Sequence, residues 1–92
     1  MLKVRAHIYV EGLVQGVFFR AFVRSSAINE GVFGWVKNLY DSRVEAVLEG
    51  EKEAISRVID QCRIGPPSAV VRHVEVAWEE YTGEFKRFGI RY

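Results

Sequence analysis

Hydrophobic residues alternate with polar ones in five segments of the chain, and this period of two is typical of half-buried strands. In the first segment, residues 3–10, every second side chain from Val4 to Val10 is apolar. The other segments cover residues 32–38, 43–49, 70–78 and 84–92. We therefore predict five strands, the third of which ends where Gly50 interrupts the pattern.

Two further segments have apolar residues three and four positions apart, the spacing that places them on one face of a helix. The first segment begins at Phe19, and Gly31 is a typical stop signal for its helix. The second covers residues 51–62 and ends before the helix-terminating pair Pro66 and Pro67. Cys62 completes the apolar face of this second helix, so we interpret it as a small buried hydrophobic residue.

The order of these elements is β-α-β-β-α-β, followed by a short last strand. Each helix and each strand has one apolar face, which predicts two packed layers. The repeated β-α-β unit indicates the α+β class and a ferredoxin-like βαββαβ two-layer sandwich. We expect an antiparallel sheet with two helices on one face, plus a short C-terminal strand. Residues 1–92 are expected to form a single domain.

Composition and charge exclude several classes of protein. Aromatic residues make up 13% of the chain and the formal net charge is +1, which is the wrong composition for intrinsic disorder. The small charge also argues against a protein held to nucleic acid by phosphate neutralisation. No apolar run is long enough to span a membrane, and charges interrupt the first residues where a secretory signal needs an apolar core. A single cysteine permits no internal disulfide, and a cytoplasmic location is expected.

The segment Glu-Gly-Leu-Val-Gln-Gly-Val-Phe-Phe-Arg, residues 11–20, joins the first strand to the first helix. Its residues Gly12 and Gly16 permit positive φ, so that successive N–H groups can turn inwards. The N-terminus of the following helix adds free N–H groups, and Arg20 in its first turn adds a planar fork of donors. The segment is therefore a candidate anion site. Alternatively, the glycines only form a turn and Arg20 is a solvated surface charge.

Asn38 follows the second predicted strand, on the same side as Val36. A β-α-β-β order can bring this position beside the glycine-containing loop. A carboxamide offers both a donor and an acceptor, so Asn38 is a candidate for orienting a water molecule. Alternatively, Asn38 only begins the hairpin turn, where asparagine is common.

The remaining reactive or aromatic side chains receive structural interpretations. His7 and His73 lie in different predicted strands, at positions that alternate with the apolar face, and we interpret both as surface residues. Tyr9, Phe33 and Trp35 are interpreted as residues that pack on the sheet. Nothing near either histidine supplies further ligands for a metal.

The candidate segments also resemble a known family, in both residue identity and spacing. The resemblance is to the acylphosphatase signature and rests on Val14-Gln15-Gly16-Val17, Phe19-Arg20, Gly34-Trp35-Val36 and Asn38. It continues through Gly65-Pro66-Pro67-Ser68-Ala69 and residues 88–92, and so covers essentially the whole chain. Bacterial and archaeal members commonly have Asp-Gly at the hairpin where this chain has Asp41-Ser42, a departure that affects the turn and not the site.

The resemblance implies an enzyme that hydrolyses acyl phosphates to a carboxylate and inorganic phosphate, with no metal, cofactor or phosphoenzyme. It implies that Arg20 and Asn38 are the catalytic residues. Arg20 and the backbone N–H groups of the loop would hold the phosphoryl group, and Asn38 would orient the attacking water. The implied phosphate-binding loop consists of Gln15, Gly16, Val17, Phe18, Phe19 and Arg20.

The expected partner is a small-molecule acyl phosphate, with inorganic phosphate as product and inhibitor. Neither nucleic acid nor a membrane is expected as a partner, and the chain is expected to act as a monomer.

Two other functions remain open at this point. Acylphosphatase-like modules also occur within larger hydrogenase-maturation proteins, so a non-catalytic phosphate-binding or regulatory module is the first alternative. The second is an RNA-binding domain, since that class shares the βαββαβ order and uses aromatic residues on its sheet. Residues 33–36 resemble part of its aromatic motif, but they lie on the second strand instead of the third. The presence of both Arg20 and Asn38 favours the enzyme.

Overall fold

Five strands and two helices make up the fold in the computed structural model, which describes residues 2–92. In chain order they are β1 (Lys3–Leu13), α1 (Phe19–Glu30), β2 (Phe33–Asn38), β3 (Val44–Glu51), α2 (Lys52–Ile64), β4 (Val70–Glu79) and β5 (Phe88–Arg91). Both helices pack against the same face of the sheet and against each other, which confirms the predicted two-layer sandwich. No helix within residues 2–92 is long and apolar enough to cross a membrane.

The strands form one sheet in the order β4-β1-β3-β2-β5. The first four of these strands pair with one another in antiparallel fashion, as the ferredoxin-like prediction requires. The predicted C-terminal strand is also present, and it pairs in parallel with β2, so that the complete sheet is mixed. Because β4 and β5 lie at opposite edges of the sheet, residues 80–87 have to cross from one edge to the other.

Two glycines have roles that differ from their sequence interpretation. Gly50 does not end β3, because its backbone still pairs with Val4 of β1. Gly12 lies inside β1, which continues to Leu13 through an irregularity after Glu11. The φ of Gly12 is 135°, and a Cβ there would lie 2.0 Å from the carbonyl oxygen of Val70. Gly12 therefore allows β1 and β4 to approach closely, and the loop that follows begins only after Leu13.

The core lies between the sheet and the two helices. The predicted apolar faces supply it: Ala6, Ile8 and Val10 from β1, Val44, Ala46 and Leu48 from β3, Phe19, Val23 and Ala27 from α1, and Ala54, Ile55, Val58, Ile59 and Cys62 from α2. The interpretation of Cys62 as a buried hydrophobic residue is confirmed. Burial raises the pKa of its thiol to about 12, so the thiol stays protonated and is a poor nucleophile.

The hairpin between β2 and β3 keeps a glycine-like geometry without glycine. Ser42 has φ 79°, in the left-handed region, and its N–H donates to the carbonyl oxygen of Leu39 at 3.3 Å. The Asp41 side chain accepts the N–H of Arg43 at 3.2 Å, which closes the turn. The departure from Asp-Gly therefore leaves the hairpin closed, with the strain confined to Ser42.

A buried carboxylate fastens the crossover segment to the face of the sheet that the helices leave open. The side chain of Glu49 is 2% exposed. It accepts hydrogen bonds from the N–H and hydroxyl of Thr82, from the N–H of Gly83 and from Nε of Arg5, at 2.8–3.0 Å. Burial by itself would raise the pKa of this carboxyl, but the four donors outweigh it and hold the pKa below its ordinary range.

Replacing Glu49 with glutamine should lower the free energy of unfolding at neutral pH by about 2–4 kcal/mol. The amide keeps the shape of the side chain but turns an N–H₂ group towards existing donors. The pKa of Glu49 is lower in the folded protein than in the unfolded chain. The stabilisation by its charged carboxylate is therefore complete above the ordinary carboxyl pKa of about 4.3, and it disappears as the pH falls through the pKa of the folded state. Urea unfolding of both proteins at several pH values measures the difference.

The difference between the wild type and Glu49→Gln should therefore shrink in acid, where Glu49 is protonated. Glu84→Gln is the matched control, since Glu84 is an exposed partner of the same Arg5. This control should cost less than about 1 kcal/mol. A stability difference that stays constant down to pH 2 would show that the charge of Glu49 contributes nothing.

Candidate active site

The loop between β1 and α1 is held by its apolar side chains and presents its backbone. Val14 and Phe19 are buried and Val17 is half-buried, so these three side chains anchor the loop in the core. Between them, Gly16 has φ 74° and Phe18 has φ 62°, both in the left-handed region. Alternation of left-handed and ordinary residues turns successive N–H groups towards one side, which is the geometry of a backbone anion site.

The N–H groups of this loop are free. Within residues 2–92, none of the N–H groups of residues 15–21 donates to a backbone or side-chain acceptor, and the first helical bond runs from Phe22 N to Phe18 O at 3.1 Å. The first N–H groups of α1 continue the run that the loop begins. An anion seated here would meet several preorganised donors and the positive end of the helix dipole.

Arg20 lies in the first turn of α1, directly after the loop, and is half-buried. Its guanidinium carbon is 4.9 Å from the centroid of the Tyr92 ring, a distance typical of a cation–π contact. Among the described residues it has no carboxylate within ion-pair distance. The donors of Arg20 therefore remain free for a ligand, while the aromatic ring restricts where they point.

Asn38 is the last residue of β2, and its side chain lies on the helix side of the sheet, as predicted. Its Oδ1 atom is buried and accepts no hydrogen bond within residues 2–92. An unsatisfied buried acceptor lowers the stability of the folded protein by about 1–3 kcal/mol, and most buried polar atoms are therefore paired. A water or substrate group that donates to Oδ1 would satisfy it.

Arg20 and Asn38 line the same cavity, which has a volume of about 320 Å³. The predicted loop residues Gly16, Phe18 and Phe19 also line it, and Val14, Ala21, Ile90 and Tyr92 complete it. The structure thus brings the two predicted catalytic residues and most of the predicted loop together. Gln15 and Val17 do not line this cavity, and any role of theirs in anion binding is confined to their N–H groups.

The side chain of Gln15 has a role that the sequence did not reveal. Its Nε2 donates to the carbonyl oxygens of Leu39 and Arg43, at 2.8 and 2.9 Å. These carbonyls belong to the hairpin that directly follows Asn38, so Gln15 ties the loop to the strand that ends at Asn38. No local sequence pattern indicates this contact, because the two acceptors are 24 and 28 residues away from Gln15 in the chain.

Phe18 combines two unfavourable features at the edge of the cavity. A bulky residue is strained at φ 62°, and its ring is 85% exposed. The same backbone conformation turns the neighbouring N–H groups inwards, so the strain is located at the candidate site.

Replacing Phe18 with glycine should raise the free energy of unfolding by about 0.5–1 kcal/mol, because relief of left-handed strain exceeds the entropy that glycine adds to the unfolded chain. For a domain of this size the melting temperature should rise by about 2–8 °C. Phe18→Ala is the matched control. It removes the ring but keeps a Cβ in the strained conformation, so thermal unfolding should show no comparable gain. Equal stabilisation by both variants would assign the effect to the exposed ring.

The histidines lie away from this cavity. His73 is exposed, as expected. His7 is half-buried on the open face of the sheet, where its Nε2 is 2.6 Å from a carboxylate oxygen of Glu45 and its ring stacks on Tyr9 at 5.0 Å. The surface interpretation of His7 is therefore only partly right. In the described part of the chain, no three His, Cys, Asp or Glu side chains lie close enough to hold a metal ion.

The fold and the site together define a small ferredoxin-like protein with a loop of free backbone N–H groups, an arginine and an asparagine around one cavity. The sequence profile of the acylphosphatase family matches residues 6–90, and the chain belongs to this family. It is 55% identical to the acylphosphatase of Pyrobaculum islandicum, over 98% of this chain and 96% of that protein. It is 53% identical to the acylphosphatase of Syntrophus aciditrophicus, over 100% of this chain and 95% of that protein.

Comparison with solved structures supports the same family assignment. The acylphosphatase from Bacillus subtilis superposes with a TM-score of 0.94 at 36% identity, over 97% of this chain and 99% of that chain. Full-length HypF in its phosphate- and nucleotide-bound form superposes with a TM-score of 0.85 at 31% identity, over 98% of this chain but 12% of that chain. The protein is an acylphosphatase, a hydrolase of class EC 3.6.1.7.

Proposed function

We propose that this acylphosphatase binds the phosphoryl group of its substrate with Arg20 and the loop of residues 15–20, and that Asn38 orients the attacking water. The proposal rests on one observation: free loop N–H groups, an unpaired arginine and the orphaned Oδ1 of Asn38 converge on one cavity. Each of these groups is unsatisfied within the described chain, and an acyl phosphate with its attacking water would satisfy all of them.

The phosphoryl end of the substrate is a dianion near neutral pH and matches the loop. Backbone donors that are already aimed at the oxygens need no reorganisation when charge shifts during the reaction. Arg20 adds two parallel N–H donors to the same group. The acyl end would lie on the apolar part of the cavity wall, next to Phe18, Ile90 and Tyr92.

The water requires orientation more than activation. Phosphoryl transfer proceeds through a loose transition state in which the bond to the nucleophile is little formed, so a strong base contributes little. A water that donates one hydrogen to Oδ1 of Asn38 keeps a lone pair free to attack phosphorus. The carboxylate leaves without protonation, because it is a stable anion, and the proton lost by the water ends on the phosphate product.

The same chemistry predicts the remaining properties of the enzyme. Inorganic phosphate should compete with the substrate, because it reproduces the group that the loop recognises. The charge of the phosphoryl group is met by Arg20 and backbone donors, so no metal or cofactor is needed. We further propose that residues 1–92 act as one domain and as a monomer, since residues of a single chain line the cavity. We propose a cytoplasmic location, since a chain whose single cysteine is free suits a reducing compartment.

The test is hydrolysis of acetyl phosphate and benzoyl phosphate by the purified chain in the presence of a chelator, with p-nitrophenyl phosphate as a monoester control. Both acyl phosphates should turn over. The monoester should turn over poorly, because the site has no acid to protonate a poor leaving group. Activity that is lost in chelator and restored by a divalent metal would contradict the mechanism. Phosphate binding without turnover would instead favour the non-catalytic module.

A further inference from the structure

A second cavity lies beside the later part of α1 and shares no lining residue with the catalytic one. We call it the cationic groove. It has a volume of about 440 Å³, and its lining includes Arg24, Ile28, Val32, Lys86, Arg87 and Phe88. Its walls are α1, the start of β2 and the end of the crossover segment that leads to β5.

The charge in this groove has one sign only. Arg24, Lys86 and Arg87 line it, and no acidic residue does. None of these three cations is within ion-pair distance of a carboxylate in residues 2–92. The neighbouring acid Glu30 is bound to Arg57, at 2.7 Å. The positive potential of the groove is therefore not neutralised by the protein itself, and an anion would be attracted to it.

Between the cations the surface is apolar. Val32 and Phe88 are buried and form the floor, and Ile28 of α1, which is 60% exposed, lies beside it. An apolar surface rimmed by charged side chains is typical of a binding site. A ligand of this groove needs an apolar body as well as an anionic group.

The groove is already formed, because main-chain hydrogen bonds hold its walls. The N–H of Val32 donates to Ala27 O at 2.8 Å, and the N–H of Gly34 donates to Arg87 O at 3.0 Å. The N–H of Gly31 is likewise used, by Ile28 O at 3.2 Å. The groove therefore offers side-chain cations and an apolar floor, and lacks the run of free N–H groups that makes the catalytic loop suited to phosphate.

We propose that the cationic groove binds a small amphipathic carboxylate, with the carboxylate between Arg24 and Lys86 and the apolar body over Ile28 and the floor formed by Val32 and Phe88. Arginine pairs with a planar carboxylate through two parallel donors, and the volume is in the range of small-molecule sites. The headgroup and acyl chain of an anionic lipid offer related chemistry. The groove favours the free acid, because its volume is that of a small molecule. This proposal does not depend on the catalytic assignment of Arg20 and Asn38.

Octanoate is the probe, and backbone amide NMR of the full chain is the first readout. Addition of octanoate should shift the amides of Gly31, Val32, Arg87 and Phe88, while those of residues 15–20 stay in place. Uncharged octanol should bind about tenfold more weakly, since it cannot use the cations. High salt should weaken octanoate binding, because the groove is open to solvent.

The double variant Arg24→Glu/Lys86→Glu should raise the octanoate Kd by at least about tenfold. The matched control is Arg63→Glu/Arg72→Glu, which changes the net charge equally with two exposed arginines outside the groove. This control should leave the Kd within about twofold, because long-range attraction between exposed charges is screened. Thermal unfolding checks that both variants fold. If the charge reversals do not, Arg24→Gln and Lys86→Gln measure the same dependence.

Three results would overturn the proposal. The first is equal weakening by the control variant, which would reduce the effect to general charge attraction. The second is displacement of octanoate by inorganic phosphate, with shifts at residues 15–20, which would place the carboxylate on the catalytic loop. The third is binding to phosphatidylglycerol vesicles without binding of free octanoate, which would assign the groove to a lipid surface.

Discussion

Arg20→Lys should lower kcat/KM for acetyl phosphate by a factor on the order of 10²–10³, nearly as much as Arg20→Ala. Lysine keeps the charge but loses the planar fork that can bind two phosphoryl oxygens at once. It also loses the flat cation that lies 4.9 Å from the Tyr92 ring and is oriented by it. Charge without direction should therefore recover little of the activity.

The measurement is steady-state hydrolysis of acetyl phosphate by variants whose melting temperatures show that they are folded. Arg63→Lys is the matched control, because Arg63 is an exposed arginine at the end of α2 and lines neither the catalytic cavity nor the cationic groove. It should keep full activity. An Arg20→Lys enzyme within a few-fold of the wild type would refute the bidentate role and leave Arg20 as a simple point charge.

Asn38→Ala should abolish most turnover, again by a factor on the order of 10²–10³, while phosphate still binds. In the proposed mechanism the loop and Arg20 hold the phosphoryl group, and both remain intact in this variant, whereas the water would lose the acceptor that orients it. Stability without ligand should fall by less than about 1 kcal/mol. The reason is that the substitution removes an acceptor that is unsatisfied in the folded protein.

Phosphate binding can be measured separately from chemistry by its effect on thermal unfolding. A ligand that binds only the folded state at a hundred times its Kd stabilises that state by about 2.7 kcal/mol. For a domain of this size the melting temperature rises by roughly 4–8 °C per kcal/mol. The wild type should show this shift, Asn38→Ala should keep most of it, and Arg20→Ala should show none. Chloride must match the ionic strength, since phosphate also stabilises proteins by exclusion from their surface.

If Asn38→Ala loses the phosphate-dependent shift as completely as Arg20→Ala, the division of roles is wrong. Asn38 would then contact the phosphoryl group or support the loop. The second possibility has a structural basis, because Gln15 bonds the loop to the carbonyls of Leu39 and Arg43, directly after Asn38. Gln15→Met separates the two cases, since it breaks that link but keeps Asn38. If Asn38 acts by supporting the loop, Gln15→Met should also lose the phosphate-dependent shift. If Asn38 contacts the phosphoryl group, Gln15→Met should keep the shift.

The sequence by itself was sufficient to predict the layers of the fold and to single out the residues of the candidate site. Strand alternation identified the core residues of β1 and β3, and the helical spacing identified the buried face of α2. These predictions succeed because burial is decided by periods of two and about three and a half residues along one element. The residue types of the loop and of Asn38 made them candidates for binding an anion and a water, and the resemblance to the acylphosphatase signature favoured these roles over a simple turn and a solvated surface charge.

Only the tertiary structure decided the features that depend on contacts between distant elements. The parallel pairing of β5 with β2, the four donors around Glu49 and the link from Gln15 to the hairpin join residues that are far apart in the chain. Gly50 was predicted to end a strand, because the alternation pattern carries no information about the β1 backbone that pairs with it. The convergence of Arg20 and Asn38 on one cavity has the same origin. Local periodicity determines which face of an element is buried, whereas partners across the sheet are selected by packing of the whole chain.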